Sequence, residues 1–180
     1  MKNIDRKAKA DRILYEFGLL DILEKIGKPH IIGSYRMNMM ACNDLDIDIE
    51  NSAMSREKLY KLTTFIINTY NPTWYEAKEE INDEGKIVWF HGFETTITGE
   101  LWNVDLWFFD NETISKAEAF CDNITDKASE EQKELIINIK NELIARGIYS
   151  FDKYTSMDVY KAVLEYDIHS IDEFLLSFSK

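Results

Sequence analysis

Three aspartates alternate with aliphatic residues in the run Asp44-Leu45-Asp46-Ile47-Asp48-Ile49. In an extended chain, residues two apart share a face. Three carboxylates then line one side and the aliphatics anchor the other. Strands disfavour Asp, and like charges on a half-buried face are costly until a cation joins them. Two carboxylates so placed have Cα atoms roughly 6.5–7 Å apart and can converge on a metal ion. The spacing suits positions one, three and five of a calcium loop. However, Ile49 stands where that loop needs Gly and Ser55 where it needs Glu, so an EF-hand is excluded. Magnesium fits better, because it takes one or two carboxylates and accepts the rest of its oxygens from water and phosphates.

A second set of residues suits the phosphates. The apolar segment "KPHIIGS" ends at Gly33-Ser34. Glycine lets a backbone come close to an anion, and N–H groups with a Ser hydroxyl at a helix start can hold it. Arg36 follows and suits a bidentate contact with terminal phosphates. A third carboxylate, Asp105, stands alone in the aromatic run "LWNVDLWFF", where Leu101, Asn103, Trp107 and Phe109 share its face by alternation.

Gly33-Ser34, eleven residues, Asp46-Ile47-Asp48-Ile49 and the later Asp105 together resemble the signature of the DNA polymerase β-like nucleotidyltransferase superfamily, over residues 30–109. The resemblance implies an α+β fold, a mixed β-sheet flanked by helices. It implies Mg²⁺ or Mn²⁺ held by Asp46, Asp48 and Asp105, the same three acting as catalytic residues. Asp105 would help to deprotonate an acceptor hydroxyl. Gly33, Ser34 and Arg36 would hold the nucleotide phosphates. The implied reaction moves a nucleoside monophosphate, foremost AMP from ATP or another NTP, to a hydroxyl of a small-molecule or protein acceptor. Asp44-Leu45-Asp46 offers an alternative register for the metal pair, with Asp46 common to both. Arg36 is the sole basic residue after Gly-Ser, where many family members carry more. That thinness keeps a second reading open: a non-catalytic nucleotide- or partner-binding protein, such as a toxin–antitoxin component or a vestigial enzyme.

The elements that must position these residues follow from periodicity. Residues 4–26 show apolar spacings of three and four, predicting helix with a break near Gly18. A short strand precedes Gly33, a helical turn or two follows it, and "NDLDIDIE" is the next strand. Ser55 caps a helix to Tyr70. Two strands about "NDEG" predict a hairpin, and "ELWNVDLWFFD" is the last strand. From Asn111 the character changes. Ser129 with Gln132 and Ser170 with Glu173 read as capping boxes, and "TSMDVYKAVLEY" as another helix. The expected organisation is a 1–110 nucleotidyltransferase-like core and a 111–180 helical segment packed on it as one compact unit.

Bulk composition bounds the partners. An apolar fraction of 45% supplies a core, while 7 Gly and 2 Pro argue against long linkers. The formal charge of −12 disfavours an extended nucleic-acid footprint and favours cations or metal-bound phosphates. Cys42 and Cys121 lack metal-ligand spacing and read as free thiols. The charged N-terminus has no signal-peptide core, and no run is long enough for a membrane span. A cytoplasmic location and no membrane partner are expected.

Overall fold

The computed structural model describes residues 3–178. At the N-terminus, α1 (Asn3–Asp11) runs into a π-helical turn (Arg12–Glu16), and Gly18, at φ +74°, reverses the chain into α2 (Leu19–Leu23). The predicted break falls there, where a residue without Cβ takes the left-handed conformation freely. Strand β1 (Pro29–Ile31), the single turn α3 (Gly33–Arg36) and strand β2 (Asp44–Glu50) come next. Helix α4 (Arg56–Tyr70) starts at Ser55, whose side chain accepts the Lys58 N–H. Then come β3 (Trp74–Ile81), β4 (Ile87–Ile97) and β5 (Glu100–Phe109).

The β3–β4 hairpin closes at Asn82, whose side-chain oxygen accepts the Glu84 and Lys86 N–H groups. The β4–β5 hairpin uses a two-residue turn, Thr98-Gly99, with both φ angles positive, the backbone such a tight turn requires. The five strands form one mixed sheet ordered β1-β2-β5-β4-β3, in which β2 and β5 are parallel neighbours and the other pairs antiparallel.

One sheet face is apolar. Leu45, Ile47 and Ile49 of β2 join Val104, Leu106 and Phe108 of β5 in a core closed by α1, α2 and α4. Tyr70 ties that core together, donating from its hydroxyl to the Ile13 carbonyl at 2.9 Å. The opposite face carries the aspartates. A second core joins four helices, α5 (Asn111–Lys127), α6 (Glu130–Ala145), α7 (Ser156–Glu165) and α8 (Ile171–Ser177), with Met37 and Met39 from the segment after α3.

Two local details depart from the sequence reading. Helix α5, which periodicity left unassigned, is started by Asp110, whose carboxylate accepts the Thr113 N–H at 3.0 Å. At α8, Ser170 accepts the Glu173 N–H, but Glu173 reaches back to the N–H of His169, so the reciprocal box does not close. The Ser129–Gln132 box does close. Among the described residues no helix is long and apolar enough to cross a membrane.

His91 points into the core between Tyr75 and Phe108, fully buried, with neither ring nitrogen hydrogen-bonded. Burial holds its pKa down to about 4, with the nearby Leu59 backbone pulling the other way. As pH falls from about 6.5 towards 4, the unfolded chain takes up a proton that the folded state refuses, so stability is lost in that window, by up to about 3 kcal/mol. His91→Leu removes both the orphaned polar atoms and this linkage. It is expected to raise stability at pH 7 by about 1 kcal/mol, and by more at pH 4.5, in urea melts at the two pH values. Parallel pH profiles for the two proteins would place the acid sensitivity elsewhere.

Candidate active site

The site grows from the parallel pairing of β2 with β5. Register sets Asp44 opposite Asn103 and Asp46 opposite Asp105. Partners across a parallel ladder share a face, so the two strands deliver three carboxylates to one place. Oxygens of Asp44, Asp46 and Asp105 lie within 4.8 Å of one another. Asn103 donates from Nδ2 to Asp44 Oδ1 at 2.8 Å, fixing that side chain.

The turn into α3 is built against the same carboxylates. The Ile32 N–H donates to the Asp46 carbonyl at 3.0 Å. Gly33, at φ +65°, lies so close to Asp46 that a Cβ would overlap Oδ2. Only glycine fits both the backbone and the space. Burial raises the Cys121 pKa, and the Gly33 N–H turned towards that thiol partly offsets the rise. Gly33, Ser34, Asp44 and Asp46 line one wall of a cavity of about 310 Å³, the size of a small ligand pocket.

Helices α6 and α7 supply the facing wall. Lys140 of α6 is 1% exposed. Its ammonium lies 5.8 Å from the Tyr149 ring centroid and 5.5 Å from that of Tyr160, two faces suited to a cation. Tyr149 also bonds the Ser156 hydroxyl, and all four residues line the cavity. Sequence reasoning missed these residues, yet one pattern marks Lys140. It occupies a core position in the stripe Ile136, Ile139, Lys140, Leu143, where a lysine has no business unless it faces something polar.

The electrostatics of the triad are those of a site short of positive charge. Burial first, then the charges of Asp44 and Asp105, push the Asp46 pKa up to about 7, while Lys140 pulls it down. Asp105 is raised to about 6 by burial and by Asp44. Asp44 is raised by burial, against the Asn103 hydrogen bond and Lys140. Oxygen donors on two strands, crowded and resisting ionisation, fit a hard divalent cation.

Two expected residues lie elsewhere. Asp48 shares the strand face but is not in the carboxylate group. It is 3% exposed and sits opposite His30 in the β1–β2 ladder. Burial raises its pKa to about 6, with His30 lowering and Glu118 raising it. The reason is the placement of the Gly33 turn, which meets β2 at Asp46 and leaves the next aspartate under β1. The structure thus groups Asp46 with Asp44, the alternative register, and not with Asp48. Arg36 is committed to α5, donating to both Asp122 oxygens at 2.9–3.1 Å and to Glu118 at 3.0 Å. It pins α3 to α5 and does not line the cavity. Cys42 and Cys121 are free thiols, and both line the cavity.

Solved structures share this architecture. The Cid1 poly(U) polymerase with MgGTP bound matches with a TM-score of 0.62 and 17% identity over 92% of this chain and 51% of that one. A cytoplasmic RNA terminal U-transferase matches at 0.58 and 16%, over 92% and 49%. The non-canonical poly(A) polymerase GLD-2, in complex with GLD-3, matches at 0.54 and 14%, over 91% and 56%. This chain therefore spans about half the length of the structures it matches. No family model and no curated protein matches the sequence.

Proposed function

We propose that this chain, which has the fold of the polymerase β-like nucleotidyltransferases, transfers a nucleoside monophosphate, foremost AMP from ATP, to an acceptor hydroxyl. The observation that carries the reading is the meeting of Asp44, Asp46 and Asp105 beside the Gly33 turn, at a cavity faced by Lys140. Asp44 and Asp46 would hold Mg²⁺ or Mn²⁺, with Asp105 completing the set. A cation held there would supply charge neutralisation for the phosphates of the nucleotide.

The chain's own groups do the rest. Lys140 and Ser156 line the same cavity as Ser34 and suit the β- and γ-phosphates. Tyr149 and Tyr160 wall the donor side and exclude water. Asp105, on the strand nearer β4, stands where an acceptor would arrive and takes the hydroxyl proton as the new ester bond forms. Residues 1–110 carry the carboxylates in this reading, and the 111–180 helices close the nucleotide side. The commitment of Arg36 to Asp122 and Glu118 favours a second reading, nucleotide or partner binding without transfer.

The test is thermal unfolding with Mg²⁺ alone and with Mg²⁺ plus each NTP, alongside pyrophosphate release in the presence of hydroxylated acceptors. A ligand at about a hundred times its dissociation constant stabilises by roughly 2.7 kcal/mol. A melting shift with pyrophosphate release supports transfer. A shift with no release for any acceptor favours nucleotide binding alone, and no shift with any nucleotide removes transfer and nucleotide binding and leaves the partner-binding reading.

A further inference from the structure

The sheet face that bears the triad continues past it. Strand register lays Trp74 beside Glu94 and Asn103, and Glu76 beside Gly92 and Asp105. Phe90 lies beside Trp107 in the next row. These rows frame a groove of about 460 Å³ that runs from Asp105 out to the edge strand β3, on the far side of Asp105 from the Lys140 cavity.

The groove has a built floor. Gly92 sits in its middle, beside Asp105, and a Cβ there would overlap the rings of Phe90 and Trp74. Both aromatics therefore lie down over the strand. Trp107 packs 4.6 Å from Phe90 and stacks on Phe109, 5.3 Å between centroids and 5° between planes. The walls are acidic: Glu76, Glu94 and Asp105, with Lys78 the one cation in the lining. Lys78 shows what this surface accepts. Its ammonium lies 5.3 Å from the Phe90 centroid and pairs with Glu80 at 2.6 Å and Glu76 at 3.4 Å. Glu94 makes no ion pair among the described residues.

We propose that this groove is the acceptor subsite and that its occupant is a small organic cation bearing a hydroxyl, an amino alcohol by chemical class. The inference rests on the nucleotidyl-transfer reading of the adjoining triad. Aromatic faces and carboxylates attract an ammonium, and desolvation over the rings strengthens that attraction. The same surface disfavours a polyanion, because its lining sets three carboxylates against one ammonium where nucleic-acid binders place Lys and Arg. With the ammonium between Glu76 and Glu94 above Gly92, the hydroxyl would be directed to Asp105, which shares the Glu76–Gly92 row. Its oxygen bonds the α-phosphorus of the NTP, the bond from that phosphorus to the bridging oxygen breaks, and pyrophosphate leaves with the electron pair. The hydroxyl proton passes to Asp105 and then to water.

Trp74 and Trp107, two of the four tryptophans, report on the groove. The experiment titrates the protein, held with Mg²⁺ and a non-hydrolysable ATP analogue, with choline, ethanolamine, glycerol and a short oligouridylate, following tryptophan fluorescence. Choline or ethanolamine is expected to give a saturable change. The Glu76→Gln/Glu94→Gln variant should weaken it tenfold or more, and glycerol and the oligouridylate should give none. No saturable change with either cation, equal affinity in the variant, or displacement by the oligouridylate overturns the proposal. Melting of the same samples separates the two readings. A nucleotide shift without a cation response sinks the groove alone. A cation response without a nucleotide shift sinks the transfer reading and, with it, the acceptor role.

Discussion

Asp46→Asn is expected to lower nucleotidyl transfer by about a thousandfold or more while raising the melting temperature of the metal-free protein. The first effect follows from position. Asp46 is central to the triad, touches the Gly33 turn and offers the oxygen through which either aspartate register would bind metal. Losing one such group removes charge stabilisation worth about 10²–10³-fold in comparable sites, and more when it also holds the metal. The second effect follows from linkage. The folded-state pKa of Asp46 is raised to about 7 and that of Asp105 to about 6. Between pH 4 and 7 the folded protein then binds more protons than the unfolded chain, so stability falls as pH rises through that window. The cost is fully present above pH 7 and absent below about pH 4. Asn carries no charge, so the variant should be less pH-sensitive, and each kcal/mol relieved is about 2–4 °C in melting temperature for a chain of this size. Mg²⁺ should stabilise the wild type and not the variant. A variant that melts lower and retains transfer would move the site away from Asp46.

The same window contains an opposing group. His91 costs stability as pH falls towards 4, whereas the triad costs stability as pH rises towards 7. Two raised carboxylates outweigh one histidine, so stability of the metal-free protein should fall from pH 4 towards 7, less steeply than the triad alone would make it. His91→Leu should steepen that fall and Asp46→Asn should make it shallower, so two single variants separate the opposing contributions.

Much of this arrangement was legible because it is local. Alternation in Asp44–Ile49 declares a strand with one acidic face, and Asp105 in an aromatic run declares a buried carboxylate on another strand. Gly33 is legible for a like reason, since glycine before Ser at a strand end signals a backbone that must come close to something. The choice between Asp44 and Asp48 was not legible. Alternation names a face but not the end of the strand at which a site forms. That end is set by the β2–β5 register and by where the chain leaving β1 crosses Asp46, both contacts between distant residues. Arg36 shows the same limit, because its partners Asp122 and Glu118 lie more than eighty residues away on α5. Lys140 was legible in principle, as a cation on an apolar stripe. Its meaning depends on α6 facing β2.

That lysine supports the second large prediction, in which two ligands respond with opposite signs. In the metal-free protein Lys140 lowers the pKa of Asp44 and of Asp46, acting as a partial stand-in for a cation. Lys140→Met keeps the length and apolar character of the stem and removes the charge. Mg²⁺ alone then meets carboxylates that are no longer partly neutralised, and its affinity should rise. Mg–ATP loses a cation beside its phosphates, and a charge-assisted contact worth about 1.5–3 kcal/mol corresponds to about 10- to 100-fold weaker binding. AMP, lacking the outer phosphates, should lose much less. Melting shifts measured with Mg²⁺, Mg–ATP and AMP separate the roles. If Lys140 served only to offset the aspartates, removing it would strengthen Mg²⁺ and Mg–ATP together. If it served only to fill the core between Tyr149 and Tyr160, neither affinity would move. Only a lysine that faces both the metal carboxylates and the phosphates sends the two affinities in opposite directions.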